Sequence, residues 1–220
     1  MNSTLDPELQ ALRDNLLEMI ELIVEQLGRS KETLTKADQE IVKEILEGEK
    51  RINKMELIID RDCENILALH QPVATDLRFV IAAMKMSYDL ERIGDTLKIF
   101  AKFLKANLQK ENRALMKRFG FDSFLDLFVD WLNEIRKSIK SDQSDQVKKI
   151  IKSKDILDKR RSATKVAADI IKENPGKVKV ILRLYALVQR MTRIENMITD
   201  ICEEIVFYKE AKVLKHSKNI

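Results

Sequence analysis

Glycine and proline are scarce in this chain, five and three in 220 residues. Sheet proteins need many tight turns, and such turns draw on both residues. The shortage therefore excludes a many-stranded fold and points to long helices with few connections. Aromatic residues make up 5% of the chain and Asp, Glu, Lys and Arg 35%, a balance typical of helices with solvated charged faces. Charge of one sign is missing too: 40 basic against 36 acidic residues leave a formal charge of +4. That mixed surface is no polyelectrolyte, and no nucleic-acid partner is expected. The two cysteines, Cys63 and Cys202, stand far apart without CxxC spacing. They read as small buried hydrophobes in a reducing compartment.

Other absences narrow the function. No uninterrupted apolar run approaches the roughly 18 residues of a membrane-spanning helix, so no membrane insertion is expected. The opening stretch MNSTLDPELQALRD has neither the basic segment nor the apolar core of a signal peptide. A cytoplasmic location follows as the expectation. No glycine-rich phosphate loop occurs, and no Ser or Cys nucleophile has an evident His partner. The only histidines are His70 and His216, and neither has a Glu three residues before it, so the Glu-x-x-His pairs of a di-iron bundle are missing. The chain is expected not to be an enzyme.

What the chain does have is helical periodicity. Leu9, Leu12, Leu16, Ile20, Ile23 and Leu27 recur at spacings of three and four, predicting a first helix from Asp6-Pro7 that Gly28 ends. A second helix is predicted after Thr35, through Ile45, Ile52, Ile59 and Ile66 to about His70, where Gln71-Pro72 breaks it. A third runs from Thr75-Asp76 through Phe79, Met86, Leu90, Ile93 and Phe100 to about Leu108. The polar stretch Gln109–Arg118 separates two halves, 1–110 and 111–220. The second half repeats the order: a helix with Phe124, Phe128 and Trp131, one from about Asp142 to Glu173, and one from Val178 to about Val206 ahead of a polar tail. The cluster Phe121, Phe124, Phe128 and Trp131 reads most simply as core, with a docking surface as the alternative.

A shift of 101 residues lays the third helix over the sixth. Leu77, Val80, Ala83, Met86, Leu90 and Ile93 fall on Val178, Ile181, Leu184, Leu187, Met191 and Ile194, and Arg92 falls on Arg193. Apolar agreement alone is cheap, but the shared Arg-Ile step after four turns of matched pattern indicates duplication. The expected fold is all-α: two tandem three-helix antiparallel bundles, six helices in all.

The densest polar constellation is Asp89-Leu90-Glu91-Arg92-Ile93-Gly94-Asp95. Glu91 and Asp95 lie four apart, so their carboxylates share one helix face a turn apart and could share a cation. Gly94 within a helix costs roughly 1 kcal/mol against Ala, which suits a close approach by another backbone or a ligand. Helix two presents Glu49, Asn53 and Glu56 at matching spacing, and antiparallel packing would bring the two faces together. The result would be an oxygen-rich site for Mg, Mn, Fe or Zn. In a chain one-third charged, the same spacing also arises on solvated faces, so the residues alone leave both readings open. The run Lys159-Arg160-Arg161 is in the same position, either a phosphate contact or a solvated face.

Gln71-Pro72-Val73-Ala74-Thr75-Asp76-Leu77-Arg78-Phe79-Val80-Ile81, followed by the Asp89–Asp95 run, resembles the signature of the PhoU family of phosphate-uptake regulators. A diluted counterpart follows in Met191–Asn196 and Asp200–Phe207, so the resemblance spans nearly the whole chain. It implies the family's fold, two three-helix bundles related by a pseudo-twofold axis, and carboxylate motifs that bind metal ions on the bundle surface. By position Glu91 and Asp95 would be metal ligands, with Glu49 a lesser candidate. At the matching second-half positions stand Thr192 and Asn196, neither anionic, and the family's following His and Asn are Met197 and Asp200. Asp155 and Asp158 remain but are crowded by Lys154, Arg160 and Arg161. The divalent or trivalent metal is thus expected in the first half only, and weakly held. The resemblance further implies a negative regulator of phosphate uptake and phosphate-starvation signalling. It would be a homodimer that docks on a phosphate ABC-transporter ATPase and a sensor histidine kinase. An accessory subunit of a different phosphate or ion carrier is the alternative, and a metal-dependent hydrolase a more distant one.

Overall fold

The three-to-four spacing of apolar residues winds into helices throughout the described residues, and no strand occurs among them. The structure, a computed structural model, describes residues 5–141, 143–153 and 155–214, the side chains of 155–162 excepted. In chain order the helices are α1 (Leu5–Thr35), α2 (Gln39–His70), α3 (Ala74–Ala106), α4 (Lys110–Arg118), α5 (Phe121–Lys140), α6 (Asp145–Lys152), α7 (Asp155–Glu173) and α8 (Val178–Glu210). A single 3-10 turn, Pro175–Lys177, leads into α8.

Three features depart from the sequence reading. Gly28 does not end α1, which continues to Thr35 and buries Ser30, Thr33 and Leu34. Burial of that extra turn outweighs the helix cost of one exposed glycine. Because a Cβ at Gly28 would meet nothing within 4 Å, Gly28→Ala is expected to raise the unfolding free energy by about 0.5–1 kcal/mol. A shift in the urea midpoint at constant slope would check it. The polar stretch after α3 is also helical: α4 buries Leu115 and Met116 and touches α1, α5 and α8. Finally, the predicted fifth helix is two, α6 and α7. Ser153 between them is extended, at φ −65° and ψ 143°, and its N–H returns to the Ile150 carbonyl.

Helices α1, α2 and α3 pack on one another as the first bundle, while α5, α6 and α7 gather on α8. Across the two, α1 meets α5 and α3 meets α8, so helices at equivalent places in the halves face each other. The six position pairs matched by the 101-residue shift also agree in burial. Leu77 and Val178 are half-buried, and the other five pairs are buried throughout. One continuous apolar core results. At its centre the Phe100 and Phe121 rings stack at 5.3 Å, joining α3 to α5. Phe79 meets Tyr208 edge-on at 5.3 Å, and Lys85 pairs with Glu204 at 3.2 Å, joining α3 to α8. Phe121, Phe124, Phe128 and Trp131 are all buried, so their role is core and not docking. Both cysteines are buried and free. Burial pushes the Cys63 thiol up to about 12 and raises that of Cys202 as well.

Glu210, at the end of α8, ties down α6. Lys148 Nζ lies 2.5 Å from its carboxylate, Lys212 Nζ 3.0 Å, and the Ser144 hydroxyl donates to it. Hydrogen bonds from Lys148, Ser144 and Lys212 hold this carboxyl down at about 2. A depressed carboxyl contributes stability that is present above the unfolded value and disappears as pH falls through the folded one. Glu210→Gln is therefore expected to be destabilising at pH 7, with its deficit against wild type shrinking steadily below about pH 4. Urea unfolding at a series of pH values would show it.

Candidate functional site

The turn between α2 and α3 holds the Gln-Pro-Val-Ala-Thr motif. Gln71 closes α2 in the left-handed region at φ 46°, the αL ending common to helices, and Pro72 after it cannot continue the helix. Ala74, which opens α3, is also left-handed at φ 49°. Two non-glycine residues in that region cost about 1–2 kcal/mol each. The motif thus reverses the chain tightly at the expense of backbone strain and sets α2 and α3 antiparallel.

That pairing brings together the faces picked out in the sequence. Glu49, 3% exposed, sits within the α2–α3 contact. Lys98 Nζ donates to its Oε1 at 2.7 Å, and Asn53 Nδ2 donates to the same oxygen at 2.8 Å. Lys98 also lies 3.7 Å from Asp95, which is otherwise open to solvent. Glu91 is half-buried beside them. Burial raises its carboxyl above the ordinary range, and the charges of Asp95, Glu56 and Glu49 raise it further, against a lowering by Lys98. Glu56 is raised in the same way, by burial first and then by Asp60 and Asp95. The hydrogen bond to Glu49 in turn raises the Lys98 ammonium. Gly94 is where the helices touch: a Cβ there would lie 3.2 Å from both Cδ1 and Cγ2 of Ile52. What approaches Gly94 is thus a core side chain of α2, and not the backbone or ligand its presence in a helix suggested.

A metal held by Glu91, Asp95 and Glu49 does not fit this arrangement. The inner oxygen of Glu49 is bound by an ammonium and an amide, and the same ammonium leans on Asp95. Among the described residues no group of three His, Cys, Asp or Glu side chains is placed to hold a metal ion. The residue that sequence reasoning passed over is Lys98. Its signal was present, at i+3 from Asp95 and i+7 from Glu91 on one helix face, but a search for anionic ligands does not register a cation.

In the second half, Thr192 is buried and donates to the Gln189 carbonyl at 2.8 Å, while Asn196 is exposed. Asp155, Asp158 and the basic run Lys159-Arg160-Arg161, with Lys154, lie outside the described side chains, as does His216. His70 is half-buried at the end of α2, 3.0 Å from Glu8, which is a helix-end pairing.

Comparison with known proteins bears on this geometry. The PhoU domain model matches residues 16–104, the span from the first turns of α1 almost to the end of α3. That span lies within the first bundle, which is therefore similar to a PhoU domain. Beyond that span, similarity is carried by relatives along the whole chain. The phosphate-specific transport system accessory protein PhoU homolog of Aquifex aeolicus is 25% identical over 210 residues, covering 95% of this chain and 94% of its own. The Escherichia coli accessory protein PhoU is 23% identical over 210 residues, covering 95% and 86%. The crystal structure of PhoU from Pseudomonas aeruginosa has this fold, with a TM-score of 0.85 at 23% identity, over 94% of this chain and 99% of that one. The chain is thus similar to PhoU in fold over 94% of its length, while the match to the domain model falls in the first bundle. Among the described residues no helix is long and apolar enough to cross a membrane.

Proposed function

We propose that this protein is a cytoplasmic negative regulator of phosphate uptake and phosphate-starvation signalling. It acts by docking on other proteins and performs no covalent chemistry. The observation that carries this reading is the similarity, over nearly the full length, to accessory proteins of phosphate-specific transport. Its partners are the ATPase of a phosphate ABC transporter and a membrane sensor histidine kinase, and its working form is a homodimer of chains with repeats 1–110 and 111–220. Docking shifts a partner's conformation only as far as its affinity for two states differs, so the regulator needs a shaped surface and not a reactive group.

The surface chemistry suits that role. Leu57, Leu69, Val73 and Tyr88 expose apolar area on α2, α3 and the turn between them, the last three within or beside the PhoU motif. They supply anchors set among charged residues, the usual make-up of a non-obligate interface. The buried, raised thiols of Cys63 and Cys202 make poor nucleophiles. Binding of the immobilised protein to the purified ATPase and to the kinase's cytoplasmic part, at low and high phosphate, tests the reading. Saturable binding to at least one partner is expected. Binding to neither, at both phosphate levels, overturns it.

A further inference from the structure

We infer that Lys98 is the resident cation of the acidic face on the first bundle, standing where the family resemblance places a metal ion. A divalent ion gains a site there only when Lys98 is neutralised.

Glu49 is almost wholly inaccessible. A carboxylate so deeply placed in a helix contact must be paired, because an isolated buried charge is far more costly than a paired one. Lys98 provides the pairing at 2.7 Å and Asn53 supports it at 2.8 Å on the same oxygen. The ammonium is held in place from the other side by Asp95, 3.7 Å away. An ion bound between Glu91 and Asp95 would therefore meet a fixed positive charge that already engages one of its three expected ligands. Two cations so close repel strongly where solvent is partly excluded.

What surrounds Lys98 is nevertheless an oxygen-rich setting with more negative than positive charge. Glu49 faces it from α2 and Asp95 from α3, and Glu91 lies close enough to feel Lys98 together with Asp95, Glu56 and Glu49. Asn53 Oδ1 is buried and has no hydrogen-bond partner. A neutral side chain at position 98 would free Glu49 and Asp95, the two carboxylates that now flank the ammonium, with Asn53 beside them, for a hard divalent ion such as Mn or Mg that keeps water in its remaining positions. One lysine thus decides whether this face is an internal ion pair or a metal site.

The test is Mn²⁺ binding to the full chain, by equilibrium dialysis at pH 7. It compares wild type, Lys98→Gln and the triple variant Lys98→Gln/Glu91→Gln/Asp95→Asn. Glutamine keeps a donor for Glu49, and thermal unfolding would verify that each variant is folded. Lys98→Gln is expected to bind one Mn²⁺ per chain about tenfold or more tighter than wild type. The triple variant is expected to lose that gain. A folded Lys98→Gln with wild-type affinity overturns the inference. So does a wild type that itself holds one Mn²⁺ tightly and loses it in Glu91→Gln, a measurement that needs no substitution at Lys98.

Discussion

Phe100→Ala is expected to lower the unfolding free energy by about 3–5 kcal/mol, the range for deleting a fully buried aromatic side chain. Phe100 is wholly inaccessible and stacks on Phe121 of the other half. The deletion therefore removes burial, an aromatic pair and the packing between α3 and α5 at once. Because a single apolar core runs through both bundles, neither half can relax into the cavity independently. The loss is expected as one cooperative transition at lower denaturant with a nearly unchanged slope, read by circular dichroism in urea. Two separated transitions would mean that the halves unfold as independent units.

The second large effect concerns the ion pair on the first bundle. Lys98→Ala is expected to cost about 2–3 kcal/mol, because it leaves the Glu49 carboxylate buried with only the Asn53 amide as partner. Lys98 is one-third exposed, which keeps the loss below that of a fully buried pair. Replacing both partners together, as Glu49→Leu/Lys98→Met, is expected to recover most of the loss, since no charge is then stranded. The two sites touch, so the double-mutant cycle is expected to be strongly non-additive. An additive cycle would show that Glu49 and Lys98 do not depend on each other.

The helices and the duplication were legible because burial imposes a period on the sequence. Val80, Ala83, Met86, Leu90 and Ile93 and their partners 101 residues on are all buried, as their spacing requires. The face shared by Glu49, Glu91 and Asp95 was legible for the same reason. Punctuation was less so. Gly28 reads as a helix end, yet the burial of Leu34 carries α1 through it. The segment KENRALMKR reads as a linker, yet Leu115 and Met116 suffice to seat α4 on α1 and α5. The break at Ser153 has no glycine or proline to announce it. The state of the carboxylate face depends on which cation reaches it, a matter of three-dimensional placement that a pattern of anions along one helix does not contain.

The central proposal is that this protein regulates phosphate uptake without chemistry of its own. Its most direct test is the expression of phosphate-starvation genes in phosphate-replete cells that lack this protein. The account predicts that these genes are switched on despite ample phosphate, and that restoring the chain switches them off again. Expression that stays low, and responds normally when phosphate is withdrawn, would contradict it.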